Sequence, residues 1–180
     1  MMIPFDRALS NLVVTEEDTA QITACLQRLI ADSGASYSMV LDRAGQILAW
    51  ESDSIRPEMQ HLGALLAATY ASTREMARLL NEDGFRTLLQ EGLREKIFTE
   101  TVQDDWLLVV IFDHQAHLGL VKVLAKRATT VLSGILDLVR ERSMQANQTP
   151  RLAQVRKATT DTIDLLFKDD SSGTKDPSSK

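Results

Sequence analysis

Apolar residues recur along the chain with two different periods, and the changes of period mark its elements. Ile22, Cys25, Leu26, Leu29 and Ile30 stand three and four apart, the spacing of one helix face. Thr15 precedes Glu16, Glu17 and Asp18, a cap followed by acidic residues that suit the positive end of a helix dipole. Ser33-Gly34 supplies the stop. Two short apolar runs come next, at 37–42 and 46–50, around Arg43-Ala44-Gly45, and this reads as a β-hairpin. Residues 52–57 read as a loop, with Pro57 at the first turn of a second helix. That helix is predicted over 58–80, with Met59, Leu62, Leu65, Leu66, Thr69, Met76, Leu79 and Leu80 as its apolar set. Another side of it is unusually small: Ala64, Ala67, Ala68, Ala71 and Ser72. Asn81-Glu82-Asp83-Gly84 ends it.

Three strands are predicted next, at 85–91, 95–102 and 106–113, parted by Gly92 and by Gln103-Asp104-Asp105. The last of them is apolar almost throughout, as a central strand buried on both faces must be. A third helix runs over 118–143, with Val121, Ala125, Ala128, Val131, Leu132, Ile135, Leu138 and Val139 as its inner stripe. The order is α-β-β-α-β-β-β-α. Short turns make successive strands antiparallel neighbours. The fold class is therefore α/β (α+β): a five-stranded antiparallel sheet with helices on both faces. Residues 1–14 form a lead-in and 15–144 the domain. Residues 145–180 are a flexible tail: 145–150 is polar and linker-like, 159–168 is an acidic-apolar segment, and 169–180 is Ser, Lys, Asp, Gly and Pro.

Composition narrows the function. Among 180 residues, 44% are hydrophobic and 25% charged, enough apolar material for one core without staples. A net charge of −5 with no basic stretch argues against nucleic acid as partner. No apolar run is long enough to span a membrane, and MMIPFDRALS lacks the basic head and long apolar stretch of a secretory signal. The lone cysteine, Cys25, suits a reducing compartment, and the expected location is the cytoplasm.

Candidate chemistry is thin. Phosphate-cradling and dinucleotide-binding glycine motifs are absent, as are C-x-x-C and G-x-S-x-G, so no cofactor is expected. Cys25 lies on the apolar stripe of the first helix and reads as a core residue. His114 and His117 could begin a metal site, but zinc needs three or four ligands and only Asp113 stands near, so they read as a polar loop. Asp104-Asp105 and Asp169-Asp170 read as solvated charge in a turn and a tail. Nothing marks Arg43, Arg74, Arg78 or Arg86 as an arginine finger. The chain reads as a protein-binding module without a catalytic centre of its own.

Two features remain. The small side of the second helix either lets that helix lie close on the sheet or offers a flat patch to another protein's backbone. The segment with Ile163, Leu165, Leu166 and Phe167 either docks on its own domain or orders against a partner. About ten residues are too few for an independently stable helix in water, and its apolar residues need a groove.

The element order, the hairpin Val40-Leu-Asp-Arg-Ala-Gly45, the helix over 62–80, and Leu107-Leu-Val-Val-Ile-Phe-Asp113 followed by Leu118-Gly-Leu-Val-Lys122 resemble the Roadblock (dynein light-chain-like) domain. The likeness spans about 16–140 and is strongest to the bacterial MglB branch. Asp161-x-Ile-Asp-x-Leu-Phe167 is similar to the acidic C-terminal segment of some MglB proteins. The resemblance implies a homodimer in which the strand at 85–91, with Phe85, Thr87 and Leu89, pairs with its copy and the two second helices lie side by side. It implies that this platform binds one MglA-type small Ras-like GTPase and speeds its GTP hydrolysis by shifting the GTPase's own switch residues, in the setting of cell polarity and motility. By position the platform would be Ala64, Ala67, Ala68, Ala71, Ser72, Glu75 and Arg78. Ile163, Leu166 and Phe167 would contact the GTPase separately and promote exchange. This chain departs from the pattern by carrying Tyr70, Arg74 and Glu75 where similar proteins are small. A Roadblock scaffold that tethers partners without changing nucleotide turnover is the alternative.

Overall fold

Thr15 and Asp18 cap the first helix reciprocally. The Thr15 hydroxyl accepts the Asp18 N–H at 3.2 Å, and the Asp18 carboxylate accepts the Thr15 N–H at 2.9 Å. Two donors that the helix start leaves without partners are thereby satisfied. Helix α1 spans Glu16–Ser33 and closes at Gly34, whose φ of 73° turns the chain into β1. The remaining elements are β1 (Tyr37–Asp42), β2 (Ile47–Ser52), α2 (Met59–Leu79), β3 (Thr87–Glu91), β4 (Glu95–Val102), β5 (Trp106–Asp113) and α3 (Leu118–Gln148). The computed structural model describes residues 12–54 and 58–148, and the notable residues outside these are Pro57 and the segment 159–168 with Ile163, Leu166 and Phe167.

The strands form one antiparallel sheet in the order β2-β1-β5-β4-β3. Central β5 divides its side chains between two cores by the strand's two-residue period. Leu107, Val109 and Ile111 join Tyr37, Met39 and Leu41 beneath α2. Trp106, Leu108, Val110 and Phe112 join Ile22, Leu26, Leu132 and Leu136 beneath α1 and α3. Fold class, element order and the buried central strand match the expectation. α3 continues to Gln148, so the predicted polar linker begins as helix. Buried Ser143 holds that last stretch, donating to the Val139 carbonyl and accepting the Val13 N–H.

The predicted inner stripes need correction. In α2 the buried positions are Met59, Gly63, Leu66, Ala67, Thr73 and Ala77, with Leu62 and Tyr70 partly buried. Leu65, Met76, Leu79 and Leu80 are exposed instead. In α3, Val131 and Leu138 are exposed rather than inward. Each helix carries more apolar residues than one face can hold, and the surplus forms a second stripe beside the first.

The β1–β2 turn sits directly against α2. Asp42 is buried because its Oδ1 accepts the N–H groups of Ala44 and Gln46, both at 2.8 Å. Gly45 has φ 85°, and a Cβ there would lie 2.6 Å from the Ala64 Cα. Gly45→Ala is expected to destabilise the fold by about 3 kcal/mol, from backbone strain plus overpacking. Gly34→Ala shares the positive φ but would meet only the Ala116 Cβ at 3.9 Å, so about 1 kcal/mol is expected. Urea midpoints of the two variants measure the difference.

α1 and α3 are tied by a buried charge. Asp18 is only 5% exposed, and its Oδ1 accepts from the Arg142 guanidinium, which also reaches the Thr15 hydroxyl at 3.4 Å. Burial alone would raise this carboxyl. Hydrogen bonds from the Arg142 side chain, then from the Thr15 hydroxyl and N–H, together with the guanidinium charge, outweigh burial and bring it down from 3.8 to about 2. A carboxyl lowered on folding adds stability in full above pH 3.8, and that stability disappears as pH falls through about 2. Arg142→Met is expected to cost about 1–3 kcal/mol at neutral pH by leaving the carboxylate short of a partner. It should also move acid unfolding to higher pH, read by circular dichroism between pH 2 and 5.

Candidate functional site

α2 covers its face of the sheet alone, so most of its circumference is open. Its orientation is fixed on both sides. On one flank Gly63 meets the Ile47 side chain and the Gly45 carbonyl. On the other, Thr73 lines a small cavity with Phe85, Leu88, Thr99 and Thr101 toward the β3 edge, and Tyr70, about 20° around the helix from Gly63, packs between the two flanks. A rotation of 100° per residue from these anchors separates the outer surface into two strips.

The first strip is small and polar-edged. Ala64, Ala68, Ala71, Ser72, Glu75 and Arg78 are all exposed along the crest and the flank away from β3. Arg78 donates to Glu75 at 2.7 Å, a pair one helical turn apart and open to solvent. Six of the seven expected platform residues therefore share one accessible surface. Ala67 does not: it is 4% exposed and packs in the core beneath the helix. The small side is thus divided between the core and the surface. Ala67 lets the helix lie close on the sheet, while its neighbours face outward. Of the residues that break the small pattern, Tyr70 turns inward, and Arg74 and Glu75 stay outside.

The second strip is apolar and was hidden in the predicted inner stripe. Leu65, Met76 and Leu80 lie on the β3-facing flank, with Leu79, 74% exposed, nearer the crest. Exposed Phe85 stands just before β3. β3 itself is an edge strand, bonded to β4 on one side only. Thr87 is exposed and Leu89 is partly buried against the core beneath α1 and α3. β3 begins at Thr87, two residues later than predicted, although the Arg86 carbonyl still accepts the Thr101 N–H at 2.9 Å. Phe85 therefore precedes the strand rather than belonging to it.

Other candidates are chemically quiet. Among the described residues, no group of three or more His, Cys, Asp or Glu side chains could hold a metal ion. Asp105 is not merely solvated as expected: Arg140 lies 3.3 Å and Arg43 3.9 Å from its carboxylate, so these charges brace the β4–β5 turn. Glu100 lines a cleft of about 480 Å³ beside α3. Burial pushes its carboxyl up, against the opposing pull of Lys126 and Arg86. Among the described residues, no helix is long and apolar enough to cross a membrane.

The model of the Roadblock/LC7 domain matches residues 22–112, from α1 through β5. The chain belongs to the Roadblock/LC7 domain family. No curated protein matches it by sequence, but solved Roadblock structures do. The gliding protein MglB of Thermus thermophilus is 31% identical, with a TM-score of 0.66 over 69% of this chain and 94% of that one. MglB of Myxococcus xanthus is 30% identical, with a TM-score of 0.67 over 71% of this chain and 96% of that one. An MglB with a tetrameric arrangement gives 30% and 0.68 over the same shares. The matched region of this Roadblock chain contains both strips of α2 and the β3 edge.

Proposed function

We propose that the chain is a homodimeric regulator of an MglA-type small GTPase and stimulates GTP hydrolysis by seating on the GTPase's switch region. The observation that carries this reading is the exposed small strip of α2, in a chain about 30% identical to MglB proteins. Alanine and serine at the surface let a partner backbone approach closely, and Glu75 and Arg78 at the margin can fix its register. A regulator of this kind needs no arginine finger: it acts by favouring the hydrolysis-competent arrangement of the partner's own switch residues.

The second strip supports dimer formation. An open edge strand exposes backbone N–H and C=O groups that pair readily with a copy of themselves. The apolar flank of α2 lies on the same side as that edge, so one twofold axis satisfies both. Strand β3 with Thr87 and Leu89, the preceding Phe85, and Leu65, Met76 and Leu80 would meet their copies, leaving Ala68 and Ala71 on the outer surface. The tail residues Ile163, Leu166 and Phe167 would form a separate contact that aids nucleotide exchange.

A switch regulator must distinguish nucleotide states, whereas a scaffold need not. Calorimetric titration of an MglA-type GTPase is expected to show at least tenfold tighter binding in the GTP-analogue form than in the GDP form. Equal affinities would favour a Roadblock scaffold that tethers partners without affecting turnover.

A further inference from the structure

The face opposite α2 carries a groove between α1 and α3 that the proposed GTPase and dimer contacts do not use. Its volume is about 550 Å³. Cys25, Leu124, Val131 and Ile135 give it an apolar lining, and Arg28 and Arg127 set two positive charges against the one negative charge of Asp32. Val131 is 53% exposed. Leu138, further along the same stripe of α3, is 57% exposed. These side chains belong to the apolar stripe beside the core face of α3, and no element among the described residues covers them.

We propose that residues 159–168 of the same chain, TTDTIDLLFK, dock in this groove. Three features select this occupant. The first is composition: Ile163, Leu166 and Phe167 share one helix face that would cover the apolar lining, and Asp164 beside that face would meet Arg28 or Arg127. The second is length. Ten residues in helical form span about 15 Å, and α3 from Leu124 to Ile135 spans about 16 Å. The third is reach. Returning from Gln148 to the level of Val131 requires about 25 Å, and the ten residues 149–158 can cover up to about 33 Å. The two readings of the tail then become two states of one segment. Docking on its own domain holds it on the face away from α2, and release makes it available to a partner.

Cys25 reports on the groove directly, because it is the only cysteine in the chain and half-buried in the lining. The experiment is the rate of alkylation of Cys25 by a maleimide in the full-length protein, with no GTPase present. It compares the natural chain with the double variant Leu166→Asp, Phe167→Asp. The variant is expected to react about tenfold faster, and the protection in the natural chain should stay constant as protein is diluted a hundredfold. Equal rates in the two proteins would overturn the proposal. Protection that vanishes on dilution would also overturn it, by assigning the groove to a second copy.

Discussion

Ala68→Arg or Ala71→Arg is expected to weaken binding of an MglA-type GTPase at least a hundredfold while leaving the fold intact. Both alanines are exposed on the outer surface of α2. Arginine has nearly the helix propensity of alanine, so the unfolding free energy should change by about 0.5 kcal/mol or less. At the interface the same side chain prevents close approach and brings a charge that loses its water. A hundredfold loss corresponds to about 2.7 kcal/mol. Ala67→Arg separates position from chemistry. It sits one residue away but inside the core, so it is expected to unfold the domain by overpacking and by burying a charge. Titration calorimetry and thermal melts of the three variants give the comparison. Retained binding by Ala68→Arg and Ala71→Arg would remove the small strip as the contact surface.

The second large effect concerns assembly. Met76→Asp combined with Leu80→Asp is expected to convert a dimer into a monomer with little change in secondary structure. Both side chains are exposed in the single chain, so their replacement leaves the monomer core untouched. Burying each apolar side chain between two copies is worth about 1.5–3 kcal/mol, and each copy contributes both. The dimer dissociation constant should therefore rise more than a thousandfold. Light scattering at micromolar concentration reads this directly. A double variant that stays dimeric would place the dimer contact elsewhere.

Both strips were encoded in the sequence, but unequally legible. The sheet was easily read because β5 is continuously apolar and each turn is marked by Gly or by a polar run. Strands 37–42, 95–102 and 106–113 appear with the predicted bounds. The small strip was visible as a composition anomaly, and only Ala67 fell on the wrong side of it. The apolar strip was misread because every apolar position in α2 was assigned to one face. Met59 and Leu79 are twenty residues apart, which puts them about 160° apart around the helix. No single inner face can contain both, so the period itself held the signal. Val131 and Leu138 of α3 escaped for the same reason. Hydrophobicity marks a residue that wants burial, and it does not distinguish the chain's own core from a partner or a docked segment.

If the outer face of α2 acts on a GTPase, the chemistry lies in the GTPase and the effect must appear in its turnover. Single-turnover GTP hydrolysis by an MglA-type GTPase, followed by phosphate release with saturating amounts of this protein, measures that effect. A regulator of this kind should raise the rate at least tenfold above the intrinsic one, and Ala68→Arg should abolish the gain. An unchanged rate at saturation, with binding confirmed in the same sample, would contradict it.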